Sequence, residues 1–265
     1  MRVAYCSDLH LEFQSVKLEN TDNSDVLILA GDICVAYQVF EPEVCNTTFS
    51  SEKIYNFFND CTKNFKHVIY IAGNHESYRS DIDETLPYLK KCFGDIPNLY
   101  ILDNESIELD GITFVGSTLW ADANKNDPTT LFLLNRSLND FRSIGIGENT
   151  FSPKDMVKRF DVNKLFLTDA LKDNTKTYVV ITHHGVSEKC VSNEYTLDYH
   201  VNGGYRSILD GFIMDRPQIK NWIMGHSHSQ LDVMVGDTRL LRNPRGYPTE
   251  KCFNEFILKY FEISA

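Results

Sequence analysis

The stretch Val68-Ile69-Tyr70-Ile71-Ala72-Gly73-Asn74-His75-Glu76 decides the fold class of this chain. Its first half is short, apolar and rich in β-branched and aromatic residues, as a strand buried on both faces must be. Its second half sets an amide, an imidazole and a carboxylate where the chain leaves the sheet. Similar clusters follow at Asp8-Leu9-His10, Gly31-Asp32, His183-His184 and Gly225-His226-Ser227-His228. Six of the eight histidines fall inside these five clusters, so imidazole is concentrated at a few turns of the chain. Further buried-strand runs stand at 26–30, 112–115 and 178–181, and mixed polar and apolar spacing predicts helices at 51–65, 81–93 and 153–172. The last of these opens with Ser152, Pro153 and Asp155 as N-cap, N1 proline and acidic N3. Segments 231–235 and 238–241 flank Gly236-Asp237 as a hairpin, and a final strand is expected over 253–263. Strands alternating with helices predict an α/β fold whose polar clusters gather along one rim, where open α/β sheets bind ligands.

The residue types point to metal chemistry. Asp8 and His10, two apart on an extended segment, would project to one side and grip one ion, and His226 and His228 repeat the spacing. Asp32 brings two oxygens, enough for two ions, and Asn74 adds a neutral carbonyl oxygen. With His183 the set reaches seven. Seven nitrogen and oxygen ligands without cysteine exceed one tetrahedral zinc but suit two five- or six-coordinate divalent ions. Two such ions lower the pKa of a shared water and clamp the attacking and leaving oxygens of a displacement at phosphorus.

Taken together, the clusters resemble the signature of the calcineurin-like metallophosphoesterases: D-x-H at Asp8 and His10, G-D at Asp32, G-N-H-E at Asn74 and His75, H at His183, and G-H-x-H at His226 and His228. The text at 7–13, Gly116-Ser117-Thr118-Leu119-Trp120 and Asn243-Pro244-Arg245-Gly246-Tyr247 is similar to a bacterial and phage-type branch. The resemblance implies a four-layer α/β/β/α sandwich of two mixed β-sheets flanked by helices. It implies one metal held by Asp8, His10 and His228, a second by Asn74, His183 and His226, and Asp32 as the bridge. Manganese is the first choice for both ions, with iron, zinc, nickel and cobalt as alternatives. His75 would be free of metal and face the substrate phosphate as general acid or transition-state stabiliser. Asn74, His75, Arg79 and His184 are the expected substrate contacts, Arg79 through its planar fork. Glu76 is expected behind the ligands, accepting a hydrogen bond from a ligand or from backbone. Where many members carry a proline after the paired histidines, this chain has Gly185-Val186.

The implied function is metal-dependent hydrolysis of a phosphomonoester or phosphodiester of a nucleotide or other small molecule, by metal-activated hydroxide. A noncatalytic interaction scaffold on the same fold is the alternative, but scaffolds of this type lose ligands or the histidine that His75 matches. A phosphoprotein phosphatase is disfavoured because Gly31-Asp32 continues as Ile33-Cys34-Val35 and lacks the Asp-Arg-Gly extension of that branch.

At 265 residues and 42% hydrophobic, the chain is expected to form one domain over 1–265, with segment 121–150 as a cap beside the cleft. Seven cysteines, odd in number and without a C-x-x-C pair, predict free thiols in a reducing compartment. The start runs straight into a strand and no apolar stretch could span a bilayer, so a cytoplasmic location and no membrane partner are expected. A formal charge of −11 removes the general attraction to phosphate backbones, which disfavours extended nucleic acid and a nuclease role and favours a small phosphorylated substrate. Outside the clusters, His67 begins a strand and reads as structural, while His200 lies in a polar loop.

Overall fold

The computed structural model describes residues 1–37 and 51–265. Strands β1 (Arg2–Cys6), β2 (Val26–Ala30), β3 (His67–Ile71) and β4 (Leu99–Ile101) lie parallel in that order. Strands β5 (Glu105–Leu109) and β6 (Ile112–Gly116) form a hairpin, and β7 (Gly145–Ile146) with β8 (Asn149–Thr150) a much smaller one. The second large sheet adds β9 (Thr177–Ile181), β10 (Ile219–Met224), β11 (Leu231–Val235) and β12 (Thr238–Arg242), in the order β11-β12-β10-β9-β6-β5. Strand β13 (Lys259–Glu262) returns antiparallel against β1, so both sheets are mixed.

The alternation of side chains sets the layers, since neighbours along a strand point to opposite faces. Val3, Tyr5, Val26, Ile28 and Ile69 meet Phe114, Val179, Ile181, Ile223 and Leu241 in a core between the sheets. The intervening residues Ala4, Leu27, Leu29 and Val68 face outward and are covered by helices α1 (Ser51–Asn64) and α2 (Ile82–Phe93), through Phe58 and Leu89 among others. On the other side Tyr178, Val180, Trp222 and Leu240 are covered by α3 (Pro128–Ser137) and α4 (Pro153–Ala170), through Leu134, Met156 and Phe160. The result is two mixed sheets flanked by helices, the layering that the resemblance implied. Helix α4 starts as the sequence predicts: Ser152 and Asp155 cap each other's backbone and Pro153 stands at the first position.

Two expectations need correction. The C-terminal segment is not one strand over 253–263: Lys251–Glu255 forms a helical turn and pairing starts only at Lys259. Just before that turn, the Glu250 carboxylate is held by His228 Nδ1 and the Tyr247 backbone N–H. The segment 121–150 is also more than a cap. Leu134, Leu138, Phe141 and Ile144 belong to the core on the outer face of the second sheet, and only 137–140 reach the cavity.

The six described cysteines are unpaired, and Cys45 lies outside the described residues. Among the described residues no helix is long and apolar enough to cross a membrane.

Candidate active site

Every cluster follows the carboxyl end of a parallel strand: Asp8 and His10 after β1, Asp32 after β2, Asn74 and His75 after β3, His183 after β9, and His226 and His228 after β10. Parallel strands point all these ends the same way, so residues far apart in sequence meet at one rim. The local backbone is not the extended segment that the two-residue spacing predicts. Asp8, His10, Asp32 and His226 have φ of 52°, 46°, 55° and 68°. Left-handed backbone at non-glycine residues costs on the order of 1–3 kcal/mol each and persists where neighbours over-determine it. Here the turns are laced together: Asp8 N–H donates to Gly31 O at 2.9 Å, His10 N–H to Asp32 O at 3.1 Å and Gly225 N–H to His183 O at 3.0 Å. The glycines of the motifs leave room for the ligands. A methyl on Gly31 would strike His183, and one on Gly225 would lie 2.9 Å from Asp8 Oδ2.

Four of the candidate ligands, His10, Asn74, His183 and His228, are oriented by a partner on the far side. His183 Nδ1 donates to Ala30 O at 2.9 Å, which turns Nε2 toward Asn74 Oδ1 at 3.1 Å and Asp32 Oδ2 at 3.3 Å. Asn74 Nδ2 donates to Asp140 Oδ1 at 2.8 Å, so its carbonyl oxygen faces inward, 3.0 Å from His226 Nδ1. His228 Nδ1 meets Glu250 Oε2 at 2.6 Å and His10 Nδ1 meets Glu12 Oε1 at 2.9 Å. With both Nδ1 atoms donating to carboxylates, the Nε2 atoms of His10 and His228 face each other at 3.3 Å, and Asp8 Oδ1 is 3.5 Å from the latter. Acceptors crowded this closely need a proton or a cation between them.

The groupings fit metal ions. Ligand atoms of Asp8, His10 and His228 lie within 4.8 Å of one another, as do those of Asp32, His183 and His226. His10, Asp32 and His75 form a third such group. The donor set is nitrogen and oxygen without thiolate, as hard or borderline divalent ions require. Asp8 and Asp32 are completely buried; burial alone would raise them, yet His228 holds Asp8 below the usual carboxylate range and the charge of His183 holds Asp32 well below it.

His75 is placed differently from the other imidazoles. Its backbone N–H donates to Asp32 Oδ1 at 2.8 Å, Nδ1 lies 3.4 Å from Glu12 Oε1, and Nε2 lies 3.1 Å from the Tyr247 hydroxyl. Tyr78 stacks on its ring at 4.1 Å. Burial works against protonation here, but the charge of Asp32 and the hydrogen bond to Glu12 outweigh it and raise His75 to about 9. Glu76 sits behind the ligands as expected: its carboxylate accepts from the backbone N–H groups of Asp32, Ile33 and Gly73, and from Tyr70. It ties the G-D and G-N-H-E turns into one unit.

A cavity of about 620 Å³ opens over this cluster, its wall carrying Asp32, Asn74, His75, His226 and His228. Arg79 and His184 are not in that wall. Arg79 is an exposed residue whose backbone N–H is tied to Ser143 O at 2.6 Å. His184 is fully buried between Trp120 and His226, with ring centroids 5.0 and 4.3 Å away, and burial with the charge of His183 lowers it to about 3. His184 thus has no exposed surface, and Arg79 lies outside the cavity lining. His67 meets the Tyr100 hydroxyl at 3.3 Å, a structural contact, and His200 is held by Thr130 away from the cavity wall. Sequence reasoning missed Glu12, Tyr78, Asp140, Tyr247 and Glu250. Glu12 and Tyr247 stood inside branch-like stretches that could have flagged them; the other three lie in no motif of their own.

Fold and site together define a phosphoesterase-type α/β sandwich with a metal-capable rim. A family model described as calcineurin-like phosphoesterase matches residues 1–230, and the chain belongs to that family, a family of phosphoester hydrolases that use divalent metal ions. An uncharacterized protein of Acanthamoeba polyphaga mimivirus is 26% identical over 268 residues, 93% of this chain and 91% of that protein. The solved structure of a phosphopantetheinyl hydrolase from Mycobacterium tuberculosis matches with a TM-score of 0.71 at 16% identity, covering 96% of this chain and 91% of that one. A protein of Thermus thermophilus matches with a TM-score of 0.55 at 11% identity, covering 98% and 97%. At such identities the likeness to both structures is one of fold.

Proposed function

We propose that the chain is a two-metal phosphoesterase acting on a small phosphorylated molecule, with a nucleotide as the leading candidate. The observation that carries this reading is the convergence of seven donor groups in one cluster beneath the cavity, four of them in its wall, with acceptors facing acceptors. In the proposal Asp8, His10 and His228 hold one ion, Asn74, His183 and His226 hold the other, and Asp32 bridges. When bound, two such ions would activate water and steady the phosphoryl oxygens. The protein's own groups do the rest. Glu12, Ala30, Asp140 and Glu250 fix which atom His10, His183, Asn74 and His228 present, as partners behind metal ligands do. His75, raised to about 9, sits beside Asp32 without being needed as a ligand, which suits it to donate a hydrogen bond to a phosphoryl oxygen as charge builds there.

The cavity wall supports a phosphorylated small molecule. Tyr78 and Tyr205 offer rings beside His75 and His226. Asn139 and Asp140 bring polar groups from the segment that the sequence marked as a cap. We also take the chain as one domain, because both sheets share the inner core, and as cytoplasmic, because its described cysteines are free thiols.

The test is a substrate survey: phosphomonoesters, phosphodiesters, cyclic and linear nucleotides, each with manganese, iron, zinc, nickel or cobalt, before and after chelation. Hydrolysis that chelation abolishes and added metal restores is expected. Undiminished turnover after rigorous removal of metal would refute the reading.

A further inference from the structure

We propose that Tyr247 is a further catalytic residue, its phenol a second hydrogen-bond donor to the phosphoryl oxygen that faces His75. The inference rests on the phosphoesterase reading and extends it to a residue outside the metal motifs. Tyr247 lines the cavity, and its hydroxyl lies 3.1 Å from His75 Nε2. Because His75 Nδ1 faces Glu12, Nε2 is the nitrogen that meets the phenol. Two donors this close can be shared by the two lone pairs of one phosphoryl oxygen. Substrate entry then exchanges the phenol–imidazole bond for two bonds to the substrate. No covalent bond to Tyr247 forms and its proton stays on the phenol.

The surrounding structure holds the phenol in place. The ring lies against His10 and His228, each with centroids 4.6 Å away. Tyr247 N–H donates to Glu250 Oε2 at 2.7 Å, and Gly246 N–H to Asp8 O at 3.0 Å. The buried Arg245 donates to the carbonyls of Leu9, Gln14 and Ser15, locking the loop that carries His10 and Glu12 against the turn that carries Tyr247. Asn243 fixes the same turn to Tyr5 O and Ile257 O. The stretch Asn243-Pro244-Arg245-Gly246-Tyr247, which the ligand assignment leaves unused, thus reads as a mount for one hydroxyl. Packing against His10 and His228 needs only a ring; the hydroxyl adds nothing to that packing and is aimed at His75.

Tyr247→Phe keeps the ring and deletes the donor. Metal content, melting temperature, affinity for inorganic phosphate by calorimetry, and turnover on aryl and alkyl phosphoesters are compared with wild type. We expect unchanged metal content and melting, roughly tenfold weaker phosphate binding, and turnover lower by on the order of 10- to 100-fold, the scale of one hydrogen bond to a charged oxygen. The loss should be the same for aryl and alkyl leaving groups, because the phenol serves an oxygen that stays on phosphorus. Phosphate affinity and turnover both within twofold of wild type would overturn the proposal, as would a loss traced entirely to missing metal. Tyr247→Ala, which removes the ring as well, should lose metal in addition; if it matches Tyr247→Phe in every readout, the ring does not support the ligands, while the donor role stands. A wild-type protein without metal-dependent hydrolysis would sink the phosphoesterase reading itself, whereas active wild type with an unaffected Tyr247→Phe sinks only this step.

Discussion

Gly73→Ala adds a single methyl group at the centre of the site. The new carbon would stand 2.7 Å from Cε1 and Nε2 of His183 and closer still to Asp32 Oδ1. Ordinary non-bonded contacts lie at about 3.5–4.0 Å, so Asp32 and His183 must withdraw by roughly 1 Å. Metal coordination tolerates only about 0.2 Å. Neither side chain can yield easily, since His183 is fastened to Ala30 O and Asp32 to the His75 backbone. The fold should lose about 1–3 kcal/mol, the usual cost of overpacking. The site should lose far more, because a misplacement of about 1 Å can cost on the order of 10²-fold in rate. The assay pairs chemical denaturation of the metal-free protein with competitive chelator titration and turnover. Gly211→Ala is the control, as nothing lies within 4 Å of its added methyl. Wild-type metal affinity and turnover in Gly73→Ala would refute the reasoning, because the two candidate ligands could not then be where the structure has them.

Three further outcomes are expected. His75→Ala should retain both ions and lose on the order of 10²- to 10⁴-fold in turnover; elemental analysis showing a missing ion would make His75 a ligand, as its group with His10 and Asp32 allows. Ser152→Ala removes the N-cap of α4 and should cost about 1 kcal/mol, or about 2–4 °C in melting temperature. The hydrogen bond from Ser152 holds Asp155 below the usual carboxylate value, so its contribution is present above that ordinary value, about 3.9, and disappears as pH falls through the lowered one; a stability gap between wild type and variant that widens in acid would contradict this. Asn139→Ala, in the cavity wall, should raise KM for a nucleotide about fivefold, the worth of one hydrogen bond, and leave a small chromogenic ester unchanged; an equal fall on both would assign Asn139 to the fold.

The layering and the gathering of the polar clusters at one rim were legible in the sequence for the same reason. Buried parallel strands are near-continuous apolar runs, and the residues that follow them are carried to one edge by the sheet, whatever the sequence distance. What could not be read was the shape of each turn. Asp8 and His10 look like an extended pair but adopt left-handed backbone, because hydrogen bonds to Gly31 and Asp32 from another strand override the local preference. The orienting partners Asp140 and Glu250 were invisible because each contact depends on how distant loops pack. The same limit misplaced His184, which adjoins a ligand in sequence but which alternation turns into the core beside Trp120. Part of 121–150 looked like a loop because α3 is held mainly by tertiary burial of Leu134 and Leu138 rather than by a long periodic face.

The central claim is that two ions share Asp32. Counting divalent ions per chain in metal-loaded wild type, Asp32→Asn and His228→Ala tests it most directly. The account predicts two ions in wild type, weakened retention of both in Asp32→Asn, and loss of essentially one in His228→Ala. One ion in wild type, or loss of the same single ion in both variants, would contradict it.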